Sequence, residues 1–283
     1  MKKIKKDQFV LLFQNKMIGL FFGDTDFPEI VLKKIKKIKK KYFIIDLSKN
    51  NKFKKDNNSY RISIGKFGKI INLIKEKNSK KVLFAGKIIK PNFSSLRLDL
   101  KGIYYMPRVI TAAKIGDAAI IKSIINILEN EGIKVISSVY FNPELSLKKG
   151  NYTKTKPSKI DNNSIKKAKN YFNKINNLDH IQALIIKDEK IIAKEGRQGT
   201  KKMLSKLKKN SKGILLKLPK NKQDLRMDLP TVGMQTLKDI KKYGLKGLVL
   251  KSKRNIFLDK EEVINFANKN KIFIKVIWKK FLY

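Results

Sequence analysis

Cysteine is absent from the chain, which excludes disulfides, zinc–thiolate sites and a cysteine nucleophile and points to a reducing compartment. A single histidine, His180, is present, so two-histidine metal sites and paired catalytic imidazoles are excluded as well. It follows Asp179 just ahead of an expected strand, where a turn or capping role is the stronger reading. General acid–base chemistry therefore falls to carboxylates, lysines or metal-bound water. Acids are themselves scarce, 23 Asp and Glu against 67 Lys and Arg, and an acid in an unusual loop is correspondingly informative. Arginine is rarer still, six against 61 lysines, although base readout and bidentate phosphate gripping favour the planar guanidinium. The formal net charge of +44 thus reads as a lysine-, isoleucine- and asparagine-rich composition of the kind AT-rich coding produces, with no specific nucleic-acid partner; a basic nucleic-acid-binding protein is the alternative. The charge still attracts anionic substrates and anionic membrane surfaces. Long apolar runs are missing too: no stretch reaches the ~18 residues that a membrane-spanning helix needs. The start, MKKIKKDQFVLLFQNK, imitates a signal peptide, but Phe9 to Phe13 is short, Gln14-Asn15-Lys16 follow, and no small-residue cleavage site appears. The expectation is a soluble cytoplasmic protein, at most peripheral on a membrane.

What is present suffices for two cores, since 283 residues at 42% hydrophobic exceed the usual single domain. Strand and helix signals alternate, as in an α/β protein whose parallel sheet is covered on both faces. Strands are expected at Met17 to Phe22, Tyr42 to Ile45, Arg61 to Ile64, Lys81 to Ala85 and Lys134 to Ser138. Helices are expected from Asp26, from Phe67 to about Lys77, and from about Gly116 to Glu131. Asn142 to Ser164, poor in large apolar residues and holding Pro143, Gly150 and Pro157, is the best linker candidate. The pattern then restarts with further α/β units. The division is a Rossmann-like N-terminal domain at 1–140, a linker region at 141–164 and a C-terminal catalytic α/β domain at 165–283.

The densest concentration of chemistry is the segment Leu218 to Gly233, between an expected strand and helix, where α/β proteins bind ligands. Lys220, Gln223, Arg226 and Thr231 are suited to hold phosphate oxygens, and Asp228 to bind a divalent cation or take a proton from water. A structural alternative has Pro230 at a turn and Thr231 capping the next helix. A second cluster, Glu195-Gly196-Arg197-Gln198-Gly199-Thr200, has glycines that allow close backbone approach and amides that suit phosphate, with simple turn chemistry as an equal competitor. It lacks the Walker pattern. In the N-terminal half, Gly19 and Gly23 suggest a nucleotide-binding turn without the full glycine series, while Asp24 and Asp26 fit capping better. Ala85-Gly86-Lys87 through Lys90-Pro91 lies where it could line the same cleft.

Gly65-Lys66-Phe67-Gly68-Lys69, Phe84-Ala85-Gly86 with Lys90-Pro91-Asn92-Phe93, Lys114-Ile115-Gly116-Asp117, Glu195 with Gly199-Thr200, and Lys220 to Gly233 together resemble the LpxI-type UDP-2,3-diacylglucosamine pyrophosphatases. The likeness runs in order from about Met17 to Ile277. Its specific part is Gln223-Asp224-x-Arg226-x-Asp228-Leu229-Pro230-Thr231-Val232-Gly233. The resemblance implies a two-domain clamshell with the lipid nucleotide between its halves. It implies an Mg2+-dependent enzyme of lipid A synthesis in a Gram-negative bacterium, splitting UDP-2,3-diacylglucosamine into UMP and 2,3-diacylglucosamine 1-phosphate (lipid X). Asp228 matches the family's essential aspartate and is the implied metal ligand and catalytic residue, with Glu195 as the second catalytic acid. Gly19, Gly23, Gly86, Lys90, Asp117, Gly199, Thr200, Lys220, Gln223, Arg226 and Thr231 become substrate-binding candidates. Contact with the inner membrane, which holds the product, follows from the same likeness.

The sequence departs from the family at four places. Gly23-Asp24-Thr25 stands where a Gly-Gly-Gly turn is usual, and Gln198-Gly199-Thr200-Lys201 where Glu-Gly-Thr-Asp is usual. Gly116-Asp117-Ala118 replaces Gly-Asp-Asp, and Lys87 replaces an asparagine. Either Glu195, Asp117 and Asp228 suffice for the metal, with Lys201 supplying some of its charge, or turnover is reduced.

Overall fold

The computed structural model of the chain describes residues 16–175, 181–196, 198–219 and 224–278. It comprises two compact units, Met1–Asn142 and Pro143–Tyr283.

In the N-terminal unit, β1 (Ile18–Phe22) is buried along its whole length, as IGLFF requires of a parallel strand covered on both faces. The chain continues through α1 (Phe27–Lys37), β2 (Tyr42–Asp46), β3 (Ser59–Tyr60), α2 (Phe67–Glu76), β4 (Lys81–Ala85), α3 (Leu100–Ile115), α4 (Asp117–Asn130) and β5 (Lys134–Ile136). The sheet order is β3-β2-β1-β4-β5, all parallel. Because β2 and β3 lie on one side of β1 and β4 and β5 on the other, the strand order reverses between β1 and β4, the crevice where open α/β sheets bind ligands. Two expectations shift here. The strand placed at Arg61 to Ile64 is instead Ser59–Tyr60, because the Arg61 guanidinium turns back to donate to the carbonyls of Asp46 (3.0 Å) and Ser48. Helix α3 was not foreseen: it carries Pro107 inside it, and its apolar residues occupy both faces, which erases the usual stripe.

Two acids organise this unit's turns. Asp99 accepts from the amides of Gly68 (3.1 Å) and Lys69 (3.0 Å) at the start of α2 and of Gly102 (2.8 Å) at the start of α3. The glycine-rich Gly65 to Lys69 segment thus receives an internal carboxylate at its helix amino end, the electrostatically preferred place for one. Glu131 accepts from Lys101, Lys75 (3.0 Å) and the Tyr105 hydroxyl (2.8 Å), joining α2, α3 and the end of α4.

The C-terminal unit begins within the stretch read as a linker, which carries β6 (Gly150–Asn151) and the start of α5 (Lys159–Lys174). Ser158 and Asp161 close a capping box on α5, so this helix starts inside the stretch expected to be a linker. Strands β7 (Ala183–Lys187) and β8 (Lys190–Lys194), α6 (Gly199–Ser205), β9 (Ile214–Lys217), β10 (Thr231–Val232), α7 (Met234–Lys242), β11 (Gly247–Lys251), β12 (Ile256–Phe257), α8 (Lys260–Lys269) and β13 (Phe273–Ile277) follow. The main sheet has the order β6-β13-β11-β9-β7-β8. Its parallel centre, β13, β11 and β9, is flanked by antiparallel β6 and β7. Side chains alternate in direction along β9. Leu215 joins the core beneath α6, α7 and α8 with Leu204, Leu237 and Val263, while Ile214 and Leu216 pack with Ile165 and Ala168 of α5. Each such fully buried aliphatic side chain stabilises the fold by roughly 1.5–3 kcal/mol.

Candidate functional site

Strands β9 and β11 are parallel, and β8, antiparallel to β7, runs with them. All three therefore end at one edge of the C-terminal sheet, and the loops leaving that edge carry the candidate acids. Glu195 follows β8 directly; its amide donates to the Ala183 carbonyl at 2.9 Å. Ala183 is the register partner of Lys217 on β9, whose other neighbour is Leu250 of β11. Glu195 and Lys217 are thus separated by one strand.

Glu195 is buried, 7% exposed. Its Oε1 accepts from the Thr200 hydroxyl at 2.6 Å and its Oε2 from the Gln182 amide at 2.8 Å. A carboxylate has about four lone-pair sites, so these bonds fix its orientation while leaving capacity for another partner. Gly199 begins α6 with φ +83°. Gly199 and Thr200 thus form a turn organised around Glu195. Lys201 in the same turn is exposed.

The loop after β9 explains its own sequence. Leu229 (7% exposed) and Val232 (0%) are buried, and Pro230 with them, while Asp228 and Thr231 stay half-buried. Asp228 donates its amide to the Asp224 carbonyl at 3.1 Å, closing a turn. Two residues beyond Leu229, β10 pairs in parallel with β12. Ile256 donates to the Pro230 carbonyl and Leu258 to the Val232 carbonyl, each at 2.9 Å. The loops after β9 and β11 are thereby tied together, and the apolar members of Asp-Leu-Pro-Thr-Val anchor the polar ones. Thr231 sits in β10, with Gly233 at the amino end of α7, so the reading of Thr231 as a helix cap is corrected. Arg226 makes a forked ion pair with Asp224, Nη2 to Oδ2 at 2.7 Å and Nε to Oδ1 at 3.0 Å. Chiefly through that contact, the Asp224 carboxyl is held below its ordinary range. The guanidinium is therefore oriented by an internal acid.

Sequence reasoning missed Lys217. Its ammonium donates to the Thr231 carbonyl at 2.7 Å. Burial holds its pKa below the ordinary lysine value, and the charges of Glu195 and Asp228 offset only part of that, so these three groups share one electrostatic environment. The signal was available: in Ile-Leu-Leu-Lys, position 217 shares the inward direction of Leu215. Among 61 lysines it did not stand out.

In the N-terminal unit the edge at the β1–β4 reversal is built from backbone. Gly23 donates to the Ala85 carbonyl at 3.0 Å, and Asp24 and Lys87 exchange two bonds, 2.8 and 2.9 Å. A methyl on Gly23 would meet the Lys87 carbonyl oxygen at 2.3 Å; one on Gly86, whose φ is +84°, would meet that of Asp24 at 2.3 Å. Gly19 lies inside β1, and its small size is explained by the Phe43 ring, 2.8 Å from an added methyl. Lys90 reaches the Ala113 carbonyl at 3.5 Å and lies over the Phe93 ring. Asp117 is exposed in the first turn of α4.

Glu195, Gly199, Thr200, Arg226, Asp228 and Thr231 thus belong to one sheet edge of the C-terminal unit, and Gly19, Gly23, Gly86, Lys90 and Asp117 to the N-terminal unit. Lys220, Gln223, Arg197 and His180 lie outside the described residues. Among the described residues, no group of three or more His, Cys, Asp and Glu side chains that could hold a metal ion occurs, and no helix is long and apolar enough to cross a membrane.

Comparison with known proteins covers both units. The LpxI N-terminal domain family matches residues 17–145 and the LpxI C-terminal domain family residues 148–275. A relative from Caulobacter vibrioides, the UDP-2,3-diacylglucosamine pyrophosphatase LpxI, is 30% identical over 223 residues, covering 75% of this chain and 80% of that one.

Proposed function

Because the chain belongs to the LpxI family, we propose that it hydrolyses the pyrophosphate of UDP-2,3-diacylglucosamine to UMP and 2,3-diacylglucosamine 1-phosphate, in the cytoplasm and as a step of lipid A biosynthesis. The observation that carries this reading is the anchored Asp228 loop at the carboxyl edge of β9. There Asp228, Glu195 and Lys217 share one electrostatic environment, and Leu229 and Val232 anchor the turn in the core. Water adds to the phosphorus on the sugar side, the bridging oxygen leaves with UMP, and the new oxygen stays on the sugar phosphate. Asp228 orients that water or accepts its proton.

Magnesium fits this donor set. In phosphoryl-transfer sites it binds through one or two carboxylates and the substrate's own oxygens, without a protein cage. Asp228 would be its protein ligand, and the ion would supply charge neutralisation of the pyrophosphate. Glu195 supports the site by fixing Thr200. Arg226, preset by Asp224, offers a planar donor to phosphate, and Lys220 and Gln223 of the same segment are proposed as further phosphate contacts.

Contact with an anionic membrane is part of the proposal. Helix α3 turns Leu100 (86% exposed), Tyr104 (63%) and Ile115 (70%) outward on the same side as Arg108 and Lys114, both exposed. An apolar outer face with cations suits the boundary between headgroups and acyl chains. Flotation with phosphatidylglycerol vesicles should carry the protein upward, and Leu100→Ser with Ile115→Ser should weaken that; equal flotation of variant and parent would remove α3 from the account.

The test of the reaction is product identification. Purified protein with Mg2+ and UDP-2,3-diacylglucosamine should yield UMP and lipid X in equal amounts. Tight binding without UMP would favour a UDP-lipid-binding homologue that no longer cleaves, a reading for which Gln198 and Lys201, in place of two acids, are the supporting observation.

A further inference from the structure

Lys217 is an ionisable side chain at the carboxyl edge of the C-terminal sheet to which neither the family motif nor the reaction above gives a task. It follows Leu216, which packs against α5, and so shares the direction of Leu215 toward the core that includes Val232 and Leu237. Most lysines of this chain can keep their ammonium in water, as lysine stems usually do. This one reaches under the loop after β9, where its ammonium bonds the Thr231 carbonyl at 2.7 Å. Glu195 is one strand away, its carboxylate fixed by Gln182 and Thr200. Asp228 lies three residues before Thr231 on the same anchored turn. Two carboxylates at one sheet edge, presented to a substrate that is itself a pyrophosphate, repel one another and the ligand unless a cation offsets their charge.

We propose that Lys217 is a positioning residue for pyrophosphate hydrolysis. It pins the Asp228–Thr231 turn through the Thr231 carbonyl and supplies a fixed positive charge that holds Glu195 and Asp228 together toward the substrate. This rests on the hydrolase reading given above. It also separates two functions of one side chain: the hydrogen bond needs only a donor, whereas the charge needs an ammonium.

The absence of cysteine makes the two functions separable by experiment. In Lys217→Cys the thiol is unique. Alkylation of the unfolded full chain with bromoethylamine, the thiolate sulfur displacing bromide, restores an ammonium at lysine's reach. Alkylation with iodoacetamide, displacing iodide, installs a neutral amide donor. Both adducts and identically treated wild type are refolded, checked by circular dichroism, and assayed for UMP release with Mg2+ at saturating substrate. The expected result is that the neutral adduct folds but loses on the order of 10²-fold in kcat, the scale of removing one electrostatic stabiliser, while the aminoethyl adduct recovers most of it. Equal kcat in the two folded adducts, with wild type active, would overturn the charge role. So would a folded aminoethyl adduct as slow as the neutral one, or a neutral adduct that fails to fold while the aminoethyl adduct folds and works, since the role would then be structural. Wild type that releases no UMP would remove the hydrolase reading, and this proposal with it.

Discussion

At the carboxyl edge of the N-terminal sheet the loops after β1 and β4 are joined backbone to backbone, with Gly23 and Gly86 leaving room for no side chain between them. At the corresponding edge of the C-terminal sheet the end of β9 carries Lys217, and the loops after β8 and β9 carry Glu195 and Asp228. The same architecture thus offers two kinds of surface. A locked backbone with close approach suits recognition of a rigid ligand part, whereas opposed charges with a half-buried aspartate suit bond breaking. Two acids of the N-terminal unit have no part in such chemistry. Asp99 and Glu131 are bound to amides, lysines and a tyrosine of their own unit, which makes them structural.

The comparison can be strained first at Gly86. With φ +84° and a neighbouring carbonyl oxygen 2.3 Å from the added methyl, Gly86→Ala should destabilise the N-terminal unit by roughly 2–4 kcal/mol, the sum of backbone strain and a forced opening of the bridge. Urea unfolding would read this, and an unchanged midpoint would show that the two loops are not locked. A smaller loss is expected in the other unit. Thr200→Val removes one of the two donors to the Glu195 carboxylate and should cost about 1–3 kcal/mol, the penalty for leaving a buried charged acceptor short of a partner. Stability unchanged in that variant would mean that Glu195 is organised by its backbone contact alone.

A third effect is a pH dependence of the N-terminal unit. Burial opposes the charge of Glu131, but hydrogen bonds from Lys101, Tyr105 and Lys75 outweigh it and hold the carboxyl at about 2, against 4.5 for the ordinary group. A depressed acid stabilises the fold above its unfolded value and loses that contribution as pH falls toward the folded one. The thermal midpoint should therefore decline as pH drops from about 4.5 to about 2, and Glu131→Gln should flatten part of that decline. A variant that retains the full slope would assign it to other carboxylates, Asp99 among them.

Much of this was legible in the sequence where one physical signal dominated. The runs at β1, β2 and β4 are apolar over most of their length, as buried parallel strands are, and the structure has them within a residue or so of the expectation. The helix after Gly116 carried a clear apolar stripe, whereas α3 did not, because its outer face holds Leu100 and Ile115 where polar residues are usual. The helix α5 starts early because the Ser158–Asp161 capping box, not an apolar residue, sets its beginning. At the site, Asp228 and Glu195 were conspicuous because acids are rare in this chain. Lys217 was hidden for the opposite reason: its meaning comes from its direction on β9 and from its neighbours across the sheet, which spacing along the chain does not reveal.

The central claim is that bond cleavage belongs to the charged edge of the C-terminal sheet, through Asp228. The most direct measurement is UMP release from UDP-2,3-diacylglucosamine by wild type and Asp228→Ala under the same Mg2+, with thermal unfolding recorded on both. The account predicts that the variant loses on the order of 10²–10⁴-fold in kcat, the scale of removing a general base, with an unfolding midpoint close to that of wild type. Undiminished turnover in a folded Asp228→Ala protein would contradict it.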